Sequence, residues 1–117
     1  MKMETKTLIT ASGYELGQVF LANNPWLRLR GLLGRPKLTP AQGMLISPCS
    51  SVHTIGMRYP LDIVYLDAQH TVLKVVSELK PWRSSFCHGA HHTLELVNGT
   101  AAKAQIHEGE TLRWKSS

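Results

Sequence analysis

Leu61-Asp62-Ile63-Val64-Tyr65-Leu66-Asp67-Ala68-Gln69-His70-Thr71-Val72-Leu73-Lys74-Val75-Val76-Ser77 is the stretch on which the fold turns. Residues 61–66 and 71–77 are rich in Ile, Val, Leu and Tyr, side chains suited to a pleated, half-buried surface. The four residues Asp67 to His70 between them return the chain alongside itself as a hairpin. Upstream, Val52 to Met57 alternates, with His53, Ile55 and Met57 on one face and Val52 and Thr54 on the other. Met44-Leu45-Ile46 ends at Pro48 and is too short for a helix, so it reads as a strand. Downstream, Thr93 to Val97 is a strand, Asn98-Gly99 a turn, and Glu108-Gly109 leads into a last strand over about 110–114.

The ends and the interruptions follow the same logic. Residues 6–11 and 14–21 are β-prone runs split by Ser12-Gly13, an N-terminal hairpin. Asn24-Pro25 supplies an N-cap and a first-turn proline, which predicts a helix over about 24–34, closed by Gly34 and Pro36. At 100° per residue Trp26, Leu29 and Leu33 share its buried face, and Arg30 lies half-buried on the flank, in need of an acidic or carbonyl partner. Thr39-Pro40 to Gly43 reads as a turn, and a second short helix falls at about 100–104. Residues 79–92 have no clean period and form the longest loop. Many short strands without βαβ alternation predict an α+β domain, compact and mainly antiparallel, partly barrel-like, with two short helices.

The chain of 117 residues carries 13 Lys and Arg against 8 Asp and Glu. One domain, 1–117, is expected at that length, and the hydrophobic share of 43% excludes a disordered or coiled-coil chain. No apolar run approaches a membrane span, and Met1-Lys2-Met3-Glu4 is too polar to open a signal peptide, so a soluble, cytoplasmic protein is expected. The net charge of +5 has an address: Arg28, Arg30, Arg35, Lys37 and Arg58 fall between Glu15 and Asp62, where there is no acid. Such a field attracts nucleic acid, an anionic membrane surface or an acidic small molecule. Nucleic acid is disfavoured, because the segment lacks the aromatic interleaving of a single-strand binder.

Arg30-Gly31-Leu32-Leu33-Gly34-Arg35, Gly43-Met44-Leu45, Met57-Arg58 and Pro60-Leu61-Asp62-Ile63-Val64-Tyr65-Leu66-Asp67 occur in that order. With Leu94-Glu95-Leu96, Gly99-Thr100-Ala101 and Glu108-Gly109-Glu110 they resemble the Domain of Unknown Function family 192, an uncharacterised bacterial and archaeal family, over about residues 10–114. Many relatives carry an aromatic-Met-basic-Asn-Thr string before Pro-Leu-Asp; here Tyr59 follows Met57-Arg58 and leads directly to Pro60. The resemblance implies a compact, predominantly β domain with small helices and supplies no established activity.

Three constellations could carry chemistry. Arg30, His53, Asp62 and Glu95 are polar groups in or beside apolar runs, either a salt bridge locking helix to sheet or a pocket holding a carboxylate or phosphate. Cys87, His88, His91 and His92 offer zinc or copper ligands, but their spacing matches no standard site and a surface loop rich in His is the simpler reading. Cys49 or Cys87 with a histidine could form a nucleophile–base pair, although no nucleophile elbow is present; both read more simply as reduced thiols. Trp82 beside Arg83 could stack on a ligand or anchor a loop.

No catalytic residue, metal or cofactor is assigned. The leading expectation is a non-catalytic binding or accessory module recognising an anionic small molecule or a partner protein. Its site would use Arg28, Arg30, Arg35, His53 and Arg58, bordered by Trp82 and Arg83, with Asp62 and Glu95. The alternatives are a metal- or Cys/His-dependent hydrolase and an envelope- or pilus-associated assembly factor.

Overall fold

The structure is a computed structural model that describes residues 3–116; Met1-Lys2, part of the stretch read for a signal peptide, and Ser117 lie outside them. Its strands are β1 (Thr5–Ile9), β2 (Glu15–Ala22), β3 (Gln42–Ile46), β4 (Ser51–His53), β5 (Leu61–Leu66), β6 (Val72–Leu79), β7 (Ser84–Phe86), β8 (His92–Val97) and β9 (Arg113–Ser116). Two helices, α1 (Pro25–Arg30) and α2 (Thr100–Lys103), interrupt them. Seven strands form one sheet in the order β6-β5-β8-β3-β2-β1-β9, and β4 pairs with β7 apart from it. Every neighbouring pair is antiparallel except β2 and β3. The large sheet stays open.

The fold class is therefore as the sequence implies, α+β and mainly antiparallel. All six residues of β5 are buried, as a central strand covered on both faces requires. One face packs Val64, Leu94 and Leu96 against α2 and the segment that carries Ile106 and Leu112. The other packs Met44, Leu61 and Ile63 against Leu27 of α1, Leu32, and Val52 of β4. This second layer, made of α1, the turn after it and the β4–β7 ribbon, holds the candidate site.

Several local expectations need correction. The first helix stops at Arg30, not near residue 34, because Gly31 takes φ 53°, ψ −128° and turns the chain out of the helix. Its buried side is Leu27, whereas Trp26 and Leu29 face outward. A helix of one and a half turns has no long stripe to bury, and its seat is set by one residue. Arg30 is exposed, and it satisfies itself on the carbonyls of Leu33 (3.0 Å) and Gly34 (3.2 Å). The strand ends at His53, the alternation of burial from Val52 continues through Ile55, and Gly56 (φ 85°) then makes a turn that sends Met57 inward. Gly43 lies inside β3, and the expected loop 79–92 contains β7.

Candidate functional site

A cleft of ≈ 130 Å³ opens between α1, with the turn after it, and β4, and its floor is the second face of the large sheet. At that floor stands Glu95. Its register on β8 sets it opposite Met44 of β3 and Ile63 of β5, so the carboxyl projects into the apolar layer. Glu95 is only 6% exposed, and among the described residues no hydrogen bond or ion pair reaches its carboxyl group. Burial without a compensating charge disfavours the anion and pushes its pKa up to about 7. The group can therefore donate or accept a hydrogen bond near neutral pH.

Arg28 crosses the mouth of the cleft. It leaves α1, and its Nη1 donates to the Pro48 carbonyl (3.2 Å) in the β3–β4 connection. Its Nε is buried without a partner, a donor whose desolvation is uncompensated. Leu29, Leu33, Cys49 and the exposed His53 complete the lip. The structure thus brings Arg28, Arg30, His53 and Glu95 to one cleft, although Arg30 is engaged with its own turn.

The remaining residues lie elsewhere. Asp62 belongs to the opposite face of the sheet, where Oδ1 accepts the Glu78 N–H and Oδ2 those of Gly99 and Ala101, all at 3.0 Å. It is neither an arginine partner nor a wall of the cleft; it caps the start of α2. Arg35 and Arg58 line a separate shallow groove beyond Leu33, with Lys37. Partial burial, then the Arg30 charge, hold Arg35 below its ordinary pKa, and its Nε donates to the Gly31 carbonyl (2.8 Å). Trp82 and Arg83 are exposed in the turn between β6 and β7, tied by backbone bonds to Thr54.

The cysteine–histidine loop does not assemble as a ligand set, and among the described residues no group of three metal-ligating side chains converges. Cys49 and Cys87 are free. His92 instead stacks on His70 with ring centroids 4.2 Å apart, and His91 meets its edge at 4.6 Å. Ser47 Oγ hydrogen-bonds His92 Nδ1, and Trp114 Nε1 donates to His70 Nδ1 at 2.9 Å. Burial, reinforced by the His70 and His91 charges, pushes His92 down to about 4. Sequence reading missed the role of His70, because it takes the β5–β8 pairing, which sets His92 opposite Leu66, to bring the turn after β5 beside it.

Fold and site together define a small α+β module with a buried, unpaired acid under a cationic and apolar lip. The chain belongs to the family DUF192 (Uncharacterized ACR, COG1430), which matches residues 7–114. No curated protein matches it significantly. It is similar to the crystal structure of a candidate transcription regulator from Sinorhizobium meliloti 1021, 26% identical, with a TM-score of 0.82 over 97% of this chain and 94% of that one. A protein of unknown function from Novosphingobium aromaticivorans DSM 12444, 23% identical, shares the fold with a TM-score of 0.80 over 94% of this chain and 84% of that one.

Proposed function

We propose that this chain is a non-catalytic binding module whose cleft takes a small molecule bearing both an anionic group and a hydrogen-bond donor. The observation that carries the reading is Glu95, a buried carboxyl without a partner, beneath the buried and unpaired Nε of Arg28. A ligand that donates to Glu95 and places its anion at Arg28 satisfies both groups at once. The volume of the cleft suits an amino-acid-sized molecule. Free Cys49 and Cys87 support a reducing, cytoplasmic setting.

The description of the Sinorhizobium relative adds the possibility of a regulatory role for this chain. Direct reading of DNA through a helix is disfavoured, since α1 and α2 have six and four residues and neither can fill a major groove. A ligand sensor is the form of regulation this site supports.

The test is a two-dimensional NMR titration with O-phosphoethanolamine, glycine, acetate and inorganic phosphate. The first two should shift the amides of α1, β4 and β8 at lower concentration than acetate or phosphate. Arg28→Ala and Glu95→Gln should each weaken that binding about tenfold or more. Equal affinity in both variants removes the cleft from consideration.

A second reading draws on the raised pKa of Glu95 beside Cys49 and His53, in which the acid moves a proton during catalysis. It predicts that the rate of Cys49 alkylation follows a pH profile displaced by Glu95→Gln. An unchanged profile removes it.

A further inference from the structure

Among the described residues six large apolar side chains stand in solvent: Trp26, Leu29, Leu33, Ile55, Trp82 and Phe86. Isolated exposed leucines need no explanation, but the placement of these does. All six belong to α1, the turn after it, the β4–β5 connection, the β6–β7 turn or β7, the elements that cover one face of the sheet. They are also neighbours. Leu29 and Leu33 form the lip of the cleft, and Leu33 Cδ2 reaches Gly56, next to Ile55. Trp82 is bonded through its N–H to the carbonyl of Thr54 (3.0 Å), and Phe86 is paired with Ser51 on the far lip.

The one acid of the cleft, Glu95, is buried at its floor, and the charged side chains on the exposed rim are cations. No carboxylate occurs between Glu15 and Asp62, and a shallow groove of ≈ 470 Å³ alongside Leu33 collects Arg35, Lys37 and Arg58. Lys37 lies over the Tyr59 ring, 5.1 Å from its centroid, which keeps its ammonium in the groove.

Trp82 is the least comfortable of the six. It adopts φ 62°, a left-handed conformation unfavourable for a bulky residue, and remains 66% exposed. Thr54, fully buried, fixes this turn: its hydroxyl engages the Lys80 carbonyl and accepts the Arg83 N–H, its N–H donates to the Arg83 carbonyl, and its carbonyl accepts the Trp82 N–H. The fold holds an indole outward.

We infer that this layer is a docking surface for an anionic phospholipid bilayer, in which the exposed tryptophans, leucines and phenylalanine enter the headgroup–acyl boundary and the Arg35–Lys37–Arg58 groove receives lipid phosphates. The cleft of ≈ 130 Å³ accepts no more than one side chain or small molecule, and the wider groove alongside Leu33 is shallow and lined by cations. Here the side chains rise from separate elements at turn tips and strand edges, an arrangement that a fluid interface accommodates. Tryptophan with arginine and lysine is the composition of that interface. Two of the three tryptophans in the chain, Trp26 and Trp82, lie on this layer.

The experiment is co-sedimentation of the full chain with vesicles of phosphatidylcholine alone and of phosphatidylcholine with phosphatidylglycerol in two-to-one ratio, at low and high salt. Association with the mixed vesicles, weakened by salt and accompanied by a blue shift of tryptophan emission, is the expected result. Lys37→Gln and Arg58→Gln should each weaken it about fivefold. Trp26→Ser and Trp82→Ser should each weaken it at least as much and abolish part of the blue shift, with unchanged circular dichroism. Three results overturn the proposal. One is no association with the mixed vesicles at low salt. Another is association indifferent to both tryptophan substitutions, which would make it charge attraction alone. The third is concentration-dependent self-association removed by those substitutions in the absence of vesicle binding, which would assign the face to a second copy of the chain.

Discussion

Asp62 and Glu95 occupy neighbouring strands yet face opposite sides of one sheet, because Glu95 is in register with Ile63 and Asp62 with Leu96. One residue of register separates two acids into two fates. Asp62 accepts three backbone N–H groups, those of Glu78, Gly99 and Ala101. Glu95 accepts none among the described residues. Replacing Asp62 with Ala strips the buried Ala101 N–H of its acceptor and unpins α2, so a loss of about 2–4 kcal/mol is expected from urea unfolding. Glu95→Gln removes a group that opposes folding as an anion, and at pH 8 should raise stability.

The pH dependence of that second effect has a definite sign. Glu95 ionises at about 7 in the native chain, against 4.5 for the free side chain. Between these values the native state holds a proton that the unfolded chain has released, so this group lowers stability as pH rises through the window. Below pH 4.5 both states are protonated and nothing is lost. Above about 7 the whole penalty is present, of the order of 3 kcal/mol. Urea midpoints of wild type and Glu95→Gln should therefore coincide near pH 4.5 and diverge toward pH 8, with the variant the more stable.

His92 acts in the opposite direction over an overlapping range. Its pKa falls from 6.5 to about 4 in the stack with His70 and His91, so the unfolded chain takes up the proton first as pH drops. Its contribution is complete above pH 6.5 and is lost toward pH 4. In wild type the two slopes partly cancel, and His92→Gln should expose the Glu95 slope between pH 4.5 and 6.5. A proton NMR titration of the ring should place His92 at about 4. A midpoint near the ordinary 6.5 would refute the stacked, desolvated environment.

The strands were legible because their signal is local. Leu61–Leu66 and Thr71–Ser77 carry their β preference in most of their residues, and the four-residue turn fixes their pairing. Asn24-Pro25 likewise marks the start of α1, with Asn24 Oδ1 accepting the Leu27 N–H at 2.9 Å. What failed was information held by distant neighbours. Asp62 and Glu95 could be recognised as polar groups in apolar runs, but the face each takes depends on β8 reaching β5 across thirty residues of chain. The exposed side of α1 was misread because periodicity over about three turns was assumed where only one and a half form.

Gly43 illustrates the same limit and yields a prediction. In sequence it closes the Thr39-Pro40 turn, yet it lies within β3, where an added Cβ would stand 2.8 Å from Leu96 Cδ2 and 3.2 Å from the Glu95 carbonyl. Its role is close approach of β3 to β8, with no demand on φ. Gly43→Ala must push Leu96 aside in a filled core, at an expected cost of about 1–3 kcal/mol in urea unfolding. The same substitution at Gly17, where nothing lies within 4 Å of the added carbon, should cost less and serves as the control.

Thr54 offers the sharpest separation between fold and surface. Its hydroxyl contacts the Lys80 carbonyl at 2.6 Å and accepts the Arg83 N–H at 2.8 Å, while its own N–H donates to the Arg83 carbonyl at 2.8 Å. Valine keeps the volume and the backbone bonds but deletes both hydroxyl bonds, leaving a carbonyl and an N–H to find water. Thr54→Val should therefore lower stability by about 1–3 kcal/mol. Hydrogen exchange at Arg83 should accelerate much more than at Ile63, in the centre of the large sheet. Trp82, released from its left-handed pose, should show a changed emission maximum in the folded protein. If exchange at Arg83 keeps pace with that at Ile63 instead, the hydroxyl supports the whole domain and does not specifically position the tryptophan.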